Sequence, residues 1–278
     1  MGTQRLLGVA VELAEGPFDI AEPMFDRPLP GGRARLAAAR DRAVLHVQGV
    51  GSFAIEHGNR IRLAPEDGAA PEAAARWLNG TVATLLLAQR GQFALHASVA
   101  EVHGAAVALC GPRRAGKSTT ALRLAQRGHP LVTDDVSVLA PGDPVMVHPL
   151  AHPVRVLPET AERLGLDTSE AKQGPRQLKL VLPAPSRPPL PLAAIALLRR
   201  DGSHDVSAVR LRGADAHWVV GSNTHRGGIF RLLWEAEIFT WAARVSSAVP
   251  VHAISRPGEG WTVDAVADAV EKLATHVR

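Results

Sequence analysis

Apolar and polar side chains alternate with a period of two through about the first 70 residues, a pattern typical of half-buried β-strands. The clearest stretches are "RLLGVAVELAE" and "RAVLHVQGVGSFAIEHGNRIRLAPE", both interrupted by Gly-rich breaks. The segment "GSFAIEHGNRIRLAP" predicts a hairpin that turns at His57-Gly58-Asn59. The pattern therefore predicts a small β-rich N-terminal module over residues 1–70.

A helical period replaces the alternation after "PEDGAAP". It predicts a helix from about Glu72 to Gln89 because apolar residues recur at helical spacing. These residues are Ala75, Leu78, Val82, Leu85 and Leu86. We place the domain junction just before this helix, so that the second, larger domain covers residues 71–278.

Strands and helices follow one another in the larger domain. The stretch "FALHASVAEVHGAAVALCG" predicts two strands, about 93–101 and 105–110, that meet at a turn at His103-Gly104. A helix over about 117–127 closes at Gly128, and "HPLVTDDVSVLA" predicts one further strand. The later elements are a short helix near 158–165, strands on either side of "PAPSRPPLP", a helical stretch with Trp234 and Trp241, a strand in "VPVHAISRP" and a terminal helix.

Composition narrows the classes of function. The net charge is +4 and the basic residues are scattered rather than clustered, so we expect no nucleic-acid partner. No apolar stretch approaches the roughly 20 residues that span a membrane, so we expect no membrane partner. The single cysteine, Cys110, excludes an internal disulfide and fits a reducing cytoplasm. The first residues lack a basic flank and a long apolar stretch, which predicts no signal peptide.

The segment "GPRRAGKST" matches the phosphate-binding pattern G-x-x-x-x-G-K-[ST]. An apolar strand is predicted before it and a helix after it, which is the context that the pattern requires. Gly111 and Gly116 allow successive N–H groups to face one anion, and the helix start adds its positive end. Lys117 is expected to reach the β- and γ-phosphates, and the Ser118 hydroxyl to bind Mg²⁺.

The sequence therefore predicts an ATP site with Mg²⁺. The predicted nucleotide-binding residues are Gly111, Pro112, Arg113, Arg114, Ala115, Gly116, Lys117, Ser118 and Thr119. Of the two arginines, either can touch phosphate or an acidic substrate, and we expect at least one of them to be solvated at the loop tip.

Asp134 and Asp135 follow the loop helix at the end of a predicted strand. A strand beside the loop strand would carry its terminal carboxylates to the phosphate end. Two tasks arise there, holding Mg²⁺ and taking a proton from the attacking hydroxyl. Adjacent carboxylates in a strand point to opposite faces, so the pair need not share one task. His96, in "LHAS", would by itself be read as a packed core residue.

Residues 95–139, "LHASVAEVHGAAVALCGPRRAGKSTTALRLAQRGHPLVTDDVSVL", resemble the catalytic core of the HPr kinase/phosphorylase family. The order is a His-Ala strand, a small turn, an apolar strand, the phosphate loop, a helix ending in Arg-Gly-His and a strand closing in Asp-Asp. The C-terminal part, with "PLAAIALLRR" and "VPVHAISRP", looks more like HPr-kinase-related proteins of ribosomal peptide clusters, including lasso-peptide kinases. The resemblance covers about residues 81–278.

The resemblance implies an α/β P-loop kinase core of the HPr kinase and phosphoenolpyruvate carboxykinase type, with a mixed sheet and ATP-dependent serine kinase activity. It implies that His96, Asp134, Asp135 and Lys117 are catalytic. Asp134 would deprotonate the acceptor serine, and Asp135 would support it by contacting His96 or the metal. Ser118 would keep its place beside the metal. A homo-oligomer is possible, since HPr kinases assemble as hexamers.

The sequence also departs from that family. Arg113 and Arg114 replace the usual small residues of the loop, and we find no later glycine-rich "RG-G" stretch with its catalytic loop. This argues against HPr as the substrate and against phosphorylase activity. Lys179, His225 and Arg226 are candidate substrate contacts.

Three functions remain open. The leading hypothesis is a Mg²⁺/ATP-dependent kinase that phosphorylates a serine of a peptide or small protein. A kinase acting on a small-molecule hydroxyl is the second, and a nucleotide-binding regulatory module without turnover is the third. The N-terminal module either recognises a leader peptide or covers a sheet edge.

Overall fold

The computed structural model describes residues 5–149, 154–169, 171–173, 178–180 and 188–274, with the backbone alone for 172–173 and 178–180. Its residues group by their contacts into two compact units. The first runs to Phe93 and includes Arg226–Ile238. The second comprises Ala94–His225 and the chain from Phe239 onward. The fold is mixed α/β.

The first unit is built on a seven-stranded sheet. Its strands are β1 (Arg5–Leu6), β2 (Val9–Leu13), β3 (Phe25–Pro28), β4 (Ala34–Ala38), β5 (Arg42–Val47), β6 (Gly51–Glu56) and β7 (Arg60–Pro65). Their order is β1-β2-β7-β6-β5-β4-β3, in which β2 and β7 run parallel and the other neighbours antiparallel. The predicted hairpin is confirmed, because β6 and β7 pair around His57 and Gly58, which both have positive φ.

The predicted helix after this sheet is present and belongs to the first unit. It consists of α1 (Pro71–Trp77), a π-helical turn (Leu78–Val82) and α2 (Ala83–Gln89). Gln89 joins α2 to the hairpin: its Nε2 donates to the Ile55 carbonyl at 3.1 Å, and its Oε1 accepts from Gly58 N at 2.8 Å. Because these contacts tie the helix to the sheet, the contact-based division falls after Phe93, whereas the sequence places the junction at 70–71.

The remaining elements are β8 (Phe93–Leu95), β9 (Ser98–Val102), β10 (Ala105–Cys110), α3 (Lys117–Gln126), β11 (Leu131–Thr133), β12 (Ser137–Ala140), β13 (Met146–His148), β14 (Val154–Val156), α4 (Pro158–Arg163), β15 (Lys172–Gln173), β16 (Leu178–Leu180), β17 (Leu190–Arg200), β18 (Ser207–Leu211), α5 (Gly213–Ser222), α6 (Gly227–Ala248), β19 (Val251–Arg256) and α7 (Val263–Ala274). Among these described helices none is long and apolar enough to span a bilayer.

A nine-stranded mixed sheet organises the second unit. Strand β10 lies at its centre, antiparallel to β9 and parallel to β17, which in turn runs parallel to β19. Helices α3 and α7 contribute to a core cluster with these strands, in which Leu109, Leu124, Ile254 and Val270 are fully buried. A separate three-stranded sheet has the order β14-β16-β15. The central strand β10 ends at Cys110, and the phosphate-loop sequence follows it directly.

Two strands predicted as continuous are each divided in the structure. The strand predicted over 93–101 is interrupted at His96 and Ala97, between β8 and β9. The strand predicted in "HPLVTDDVSVLA" ends at Thr133 and resumes at Ser137, with Asp135 at a φ of 72°. Positive φ is uncommon outside glycine, but aspartate tolerates it better than most residues. As a result, His96, Asp134 and Asp135 lie between strands rather than within them.

Candidate functional site

The phosphate-loop sequence forms the connection between strand β10 and helix α3. Gly111 and Gly116 have φ values of 135° and 104°, a region that side-chain-bearing residues rarely adopt. A Cβ on Gly111 would also lie 2.4 Å from the Leu198 carbonyl oxygen of strand β17. Glycine is therefore required at position 111 by both the backbone conformation and the close approach of the neighbouring strand.

Two side chains from distant parts of the chain brace this loop. The Asn223 Oδ1 accepts a hydrogen bond from Gly111 N at 3.1 Å. The Arg256 Nη2 donates to the Ala115 carbonyl at 2.8 Å, and Arg256 is 8% exposed. Sequence reasoning missed both residues. Neither lies near the motif in the chain, so no local signal could have identified them.

Lys117 is buried, and its side chain contacts the backbone at the start of the loop. Its Nζ donates to the carbonyls of Gly111 at 2.8 Å and Pro112 at 3.3 Å. Burial lowers the pKa of the ammonium group, because the charged form is poorly solvated there. Arg113 and Arg114 are exposed at the loop tip. The ammonium group is thus held at the loop backbone, within the segment that the motif assigns to phosphate.

Ser118 and Asp134 meet at the first turn of α3. The Ser118 hydroxyl donates to the Asp134 carboxylate, at 2.9 Å from Oδ1 and 3.2 Å from Oδ2. The Ser98 hydroxyl donates to the same Oδ1 at 2.5 Å. Asp134 is 5% exposed, and burial raises its pKa against the opposing effect of the two hydroxyls. Sequence reasoning missed Ser98, which stands two residues after His96 at the start of β9.

Asp135 turns away from this cluster and pairs with His96. Its Oδ1 lies 3.0 Å from the His96 Nδ1, which is also 3.2 Å from the Asp135 carbonyl oxygen. The contact with His96 holds the pKa of the carboxyl well below its usual range. Both side chains are 42% exposed. The two adjacent aspartates therefore have different partners and different access to solvent.

His225 lies beside the Asp135–His96 pair because two chain segments are joined there by backbone contacts. Leu95 forms an antiparallel bridge with Thr224. The His96 N–H donates to the Asn223 carbonyl at 2.8 Å, and the His225 N–H donates to the Ala94 carbonyl at 2.7 Å. As a result, one ligand atom from each of His96, Asp135 and His225 lies within 4.8 Å of the others.

The other predicted site residues are placed as follows. Thr119 is half-buried on α3, and Pro112 is exposed at the loop. Lys179 lies in β16, paired in register with Arg155, and its side chain is outside the described residues. Arg226 has a φ of 52° and belongs to the first unit. The second unit thus brings together the loop, Asp134, Asp135, His96 and His225, whereas Lys179 and Arg226 stay predictions.

No protein-family model matches the sequence, and no curated protein matches it. Among solved structures, the chain is similar to the HPr(Ser) kinase/phosphatase from Coxiella burnetii. The identity is 14%, the match covers 66% of this chain and 93% of that chain, and the TM-score is 0.35. The name of that structure is also the name of the family that residues 95–139 resemble.

Proposed function

We propose that the protein is a Mg²⁺/ATP-dependent kinase that transfers the γ-phosphoryl group of ATP to a hydroxyl group. One observation carries the proposal: Ser118 and Asp134 meet at the first turn after the phosphate loop, with the Asp135–His96 pair beside them. The first pair suits a metal-bound nucleotide and the second suits an acceptor. Phosphoryl transfer requires both to be positioned next to each other.

The nucleotide phosphates would be held by the loop backbone and by Lys117. The ammonium group now donates to two loop carbonyls, and phosphate oxygens would replace these weaker acceptors when ATP binds. The start of α3 adds the positive end of its helix dipole at the same place. Arg256 would stabilise the loop by donating a hydrogen bond to the Ala115 carbonyl. The residues therefore suit a polyphosphate better than a single carboxylate.

Mg²⁺ would be held by the Ser118 hydroxyl and the Asp134 carboxylate, either directly or through water. The donor set fits this ion, because Mg²⁺ prefers oxygen ligands and Ser98, Ser118 and Asp134 offer only oxygen. When bound, the ion would neutralise charge on the β- and γ-phosphates. Asp134 is almost inaccessible to solvent, so an acceptor hydroxyl could not readily approach it.

This geometry favours a division of roles opposite to the one that the resemblance implies. Asp135, rather than Asp134, is the accessible carboxylate, and we assign it to the acceptor hydroxyl. Its lowered pKa makes it a weak base, so its main task would be to orient the hydroxyl and receive the proton late in the transfer. His96 would fix the carboxylate in that orientation through the 3.0 Å contact.

We propose a serine of a peptide or small protein as the acceptor, in line with the resemblance to lasso-peptide kinases. The partial exposure of Asp135 and His96 supports an acceptor that approaches from solvent. The test is intact-mass analysis of serine-bearing peptides and of small hydroxyl compounds incubated with protein, ATP and Mg²⁺. Production of ADP and of inorganic phosphate is followed in parallel, so that transfer to water is distinguished from transfer to an added acceptor.

Two neighbouring substitutions separate the proposed roles. Asp135→Asn should abolish transfer and leave MgATP binding unchanged, whereas Asp134→Asn should weaken the Mg²⁺ dependence of ATP binding. Asp26→Asn, which alters a carboxylate paired with Arg35 in the first unit, is the matched control and should change neither. Near-normal transfer by Asp135→Asn would contradict the assignment. ATP binding without any product or ADP would favour a regulatory module instead.

A further inference from the structure

We propose that His96, Asp135 and His225 form a binding site for a divalent transition-metal ion, and that Zn²⁺ is the ion that these ligands fit best. The site lies beside the Mg²⁺ position proposed above and is distinct from it. Among the described residues of the chain, these three form the one group of at least three His, Cys, Asp and Glu side chains whose ligand atoms come this close together.

The three ligands are held by backbone structure rather than by surface side chains alone. The bridge between Leu95 and Thr224 fixes His96 relative to His225, with a backbone hydrogen bond on each side of it. Asp135 has a φ of 72°, and its Oδ1 lies 3.0 Å from the His96 Nδ1. Metal–ligand bonds of about 2.1 Å require ligand atoms roughly 3.4 Å apart. The three ligand atoms lie within 4.8 Å of one another, so binding would shorten the widest separation by about 1.4 Å.

The chemistry of the donors selects the class of ion. Two imidazoles and one carboxylate suit Zn²⁺ and related ions, and they leave positions open for water or another ligand. Mg²⁺ prefers oxygen donors and would remain with Ser118 and Asp134. Because Asp134 has two hydroxyl neighbours and Asp135 has two imidazole neighbours, the adjacent carboxylates are surrounded by donors for different metals.

A bound Zn²⁺ would occupy the carboxylate that we assign to the acceptor. Resting on the proposed function, this predicts that Zn²⁺ inhibits phosphoryl transfer and that the inhibition is relieved by more acceptor rather than by more ATP. Binding of the ion itself does not depend on that function. The two proposals can therefore fail separately.

The test is a Zn²⁺ titration of the full-length protein in competition with a chromophoric chelator, together with the visible absorption of a Co²⁺ complex. His225→Ala and His96→Ala should each weaken Zn²⁺ binding at least about tenfold, because losing a ligand should cost no less than losing a residue that orients one. His57→Ala is the matched control, since His57 lies 3.4 Å from the Asp41 carboxylate and belongs to the first unit. Ser118→Ala is the second control, because it alters the proposed Mg²⁺ position and none of the three zinc ligands.

One tight equivalent of Zn²⁺ that both ligand variants lose and both controls keep would support the site, whether or not the protein shows kinase activity. The proposal is overturned if the wild-type protein binds no Zn²⁺ tightly, or if His225→Ala and His96→Ala, with melting temperatures like the wild type, bind it unchanged. A loss of binding in His57→Ala equal to that in His225→Ala would also overturn it.

Discussion

Replacement of Arg256 by methionine should weaken ATP binding although Arg256 lies outside the phosphate-loop motif. The guanidinium donates to the Ala115 carbonyl at 2.8 Å and to the Thr262 hydroxyl at 3.4 Å. The Arg256 Nη2, which donates to Ala115, would lie 3.3 Å from a Cβ on Gly116, so the guanidinium closely approaches the loop. Methionine keeps much of the length of the side chain and removes the charge and the donors.

The size of the effect follows from the hydrogen bond to the loop. A hydrogen bond from a charged donor contributes about 1.5–3 kcal/mol. If the loop is ordered by this contact before ATP binds, losing it should raise the dissociation constant for MgATP by about 10- to 150-fold. The measurement is titration calorimetry with MgATP, accompanied by melting curves that show whether the variant remains folded.

Arg127→Met is the matched control for this experiment. Arg127 also reaches across to another element, donating to Asp264 at 2.9 Å and to Asp268 at 2.6 Å, but it contacts α7 and not the loop. This control should lower the melting temperature with little effect on ATP affinity. The reasoning is refuted if Arg256→Met binds MgATP within about twofold of the wild type, or if Arg127→Met weakens binding equally.

Two further predictions concern stability. Gly111→Ala should lower the free energy of unfolding by at least about 1–3 kcal/mol in urea titrations, because it adds a contact at 2.4 Å to the strain of positive φ. Gly202→Ala is the control: Gly202 has a φ of 76° but open space around it, so the substitution should lower the free energy of unfolding by less. Equal effects of the two substitutions would contradict the argument. Asp135 has a lowered pKa, so its contribution to stability is present above its unfolded value near 3.9 and is lost as the pH falls below that value. The difference in melting temperature between the wild type and Asp135→Asn should therefore shrink below about pH 4, and a constant difference from pH 6 to 3 would exclude this linkage.

Local sequence signals predicted much of the architecture. The strand, loop and helix around Lys117 follow from an apolar run, two glycines and a helical period, each of which acts over only a few residues. The hairpin at His57 and Gly58 and the helix ending at Gln89 were likewise predictable, because turn residues and side-chain periodicity determine them locally. The motif also placed Ser118 at the first turn of the helix without any knowledge of the rest of the chain.

Only the tertiary structure decided that Asp134 and Asp135 lie in different surroundings. Asp134 and Asp135 are adjacent in the chain, and their residue types are identical. Burial against the Ser98 and Ser118 hydroxyls distinguishes the first, and contact with His96 distinguishes the second. These partners come from other segments, so the prediction of one unbroken strand could not distinguish the surroundings of the two carboxylates.

No local pattern in the sequence identified the residues that contact the loop backbone. Asn223 and Arg256 are ordinary polar residues until the fold places one against Gly111 and the other against Ala115. His225 was a candidate from the sequence, but only the fold showed that the backbone bridge between Leu95 and Thr224 brings it beside His96. Local propensities act over a few residues, but burial, charge and donor geometry at one point depend on segments more than 100 residues apart. The sequence predicted the loop between β10 and α3, and the fold determined which side chains surround that loop.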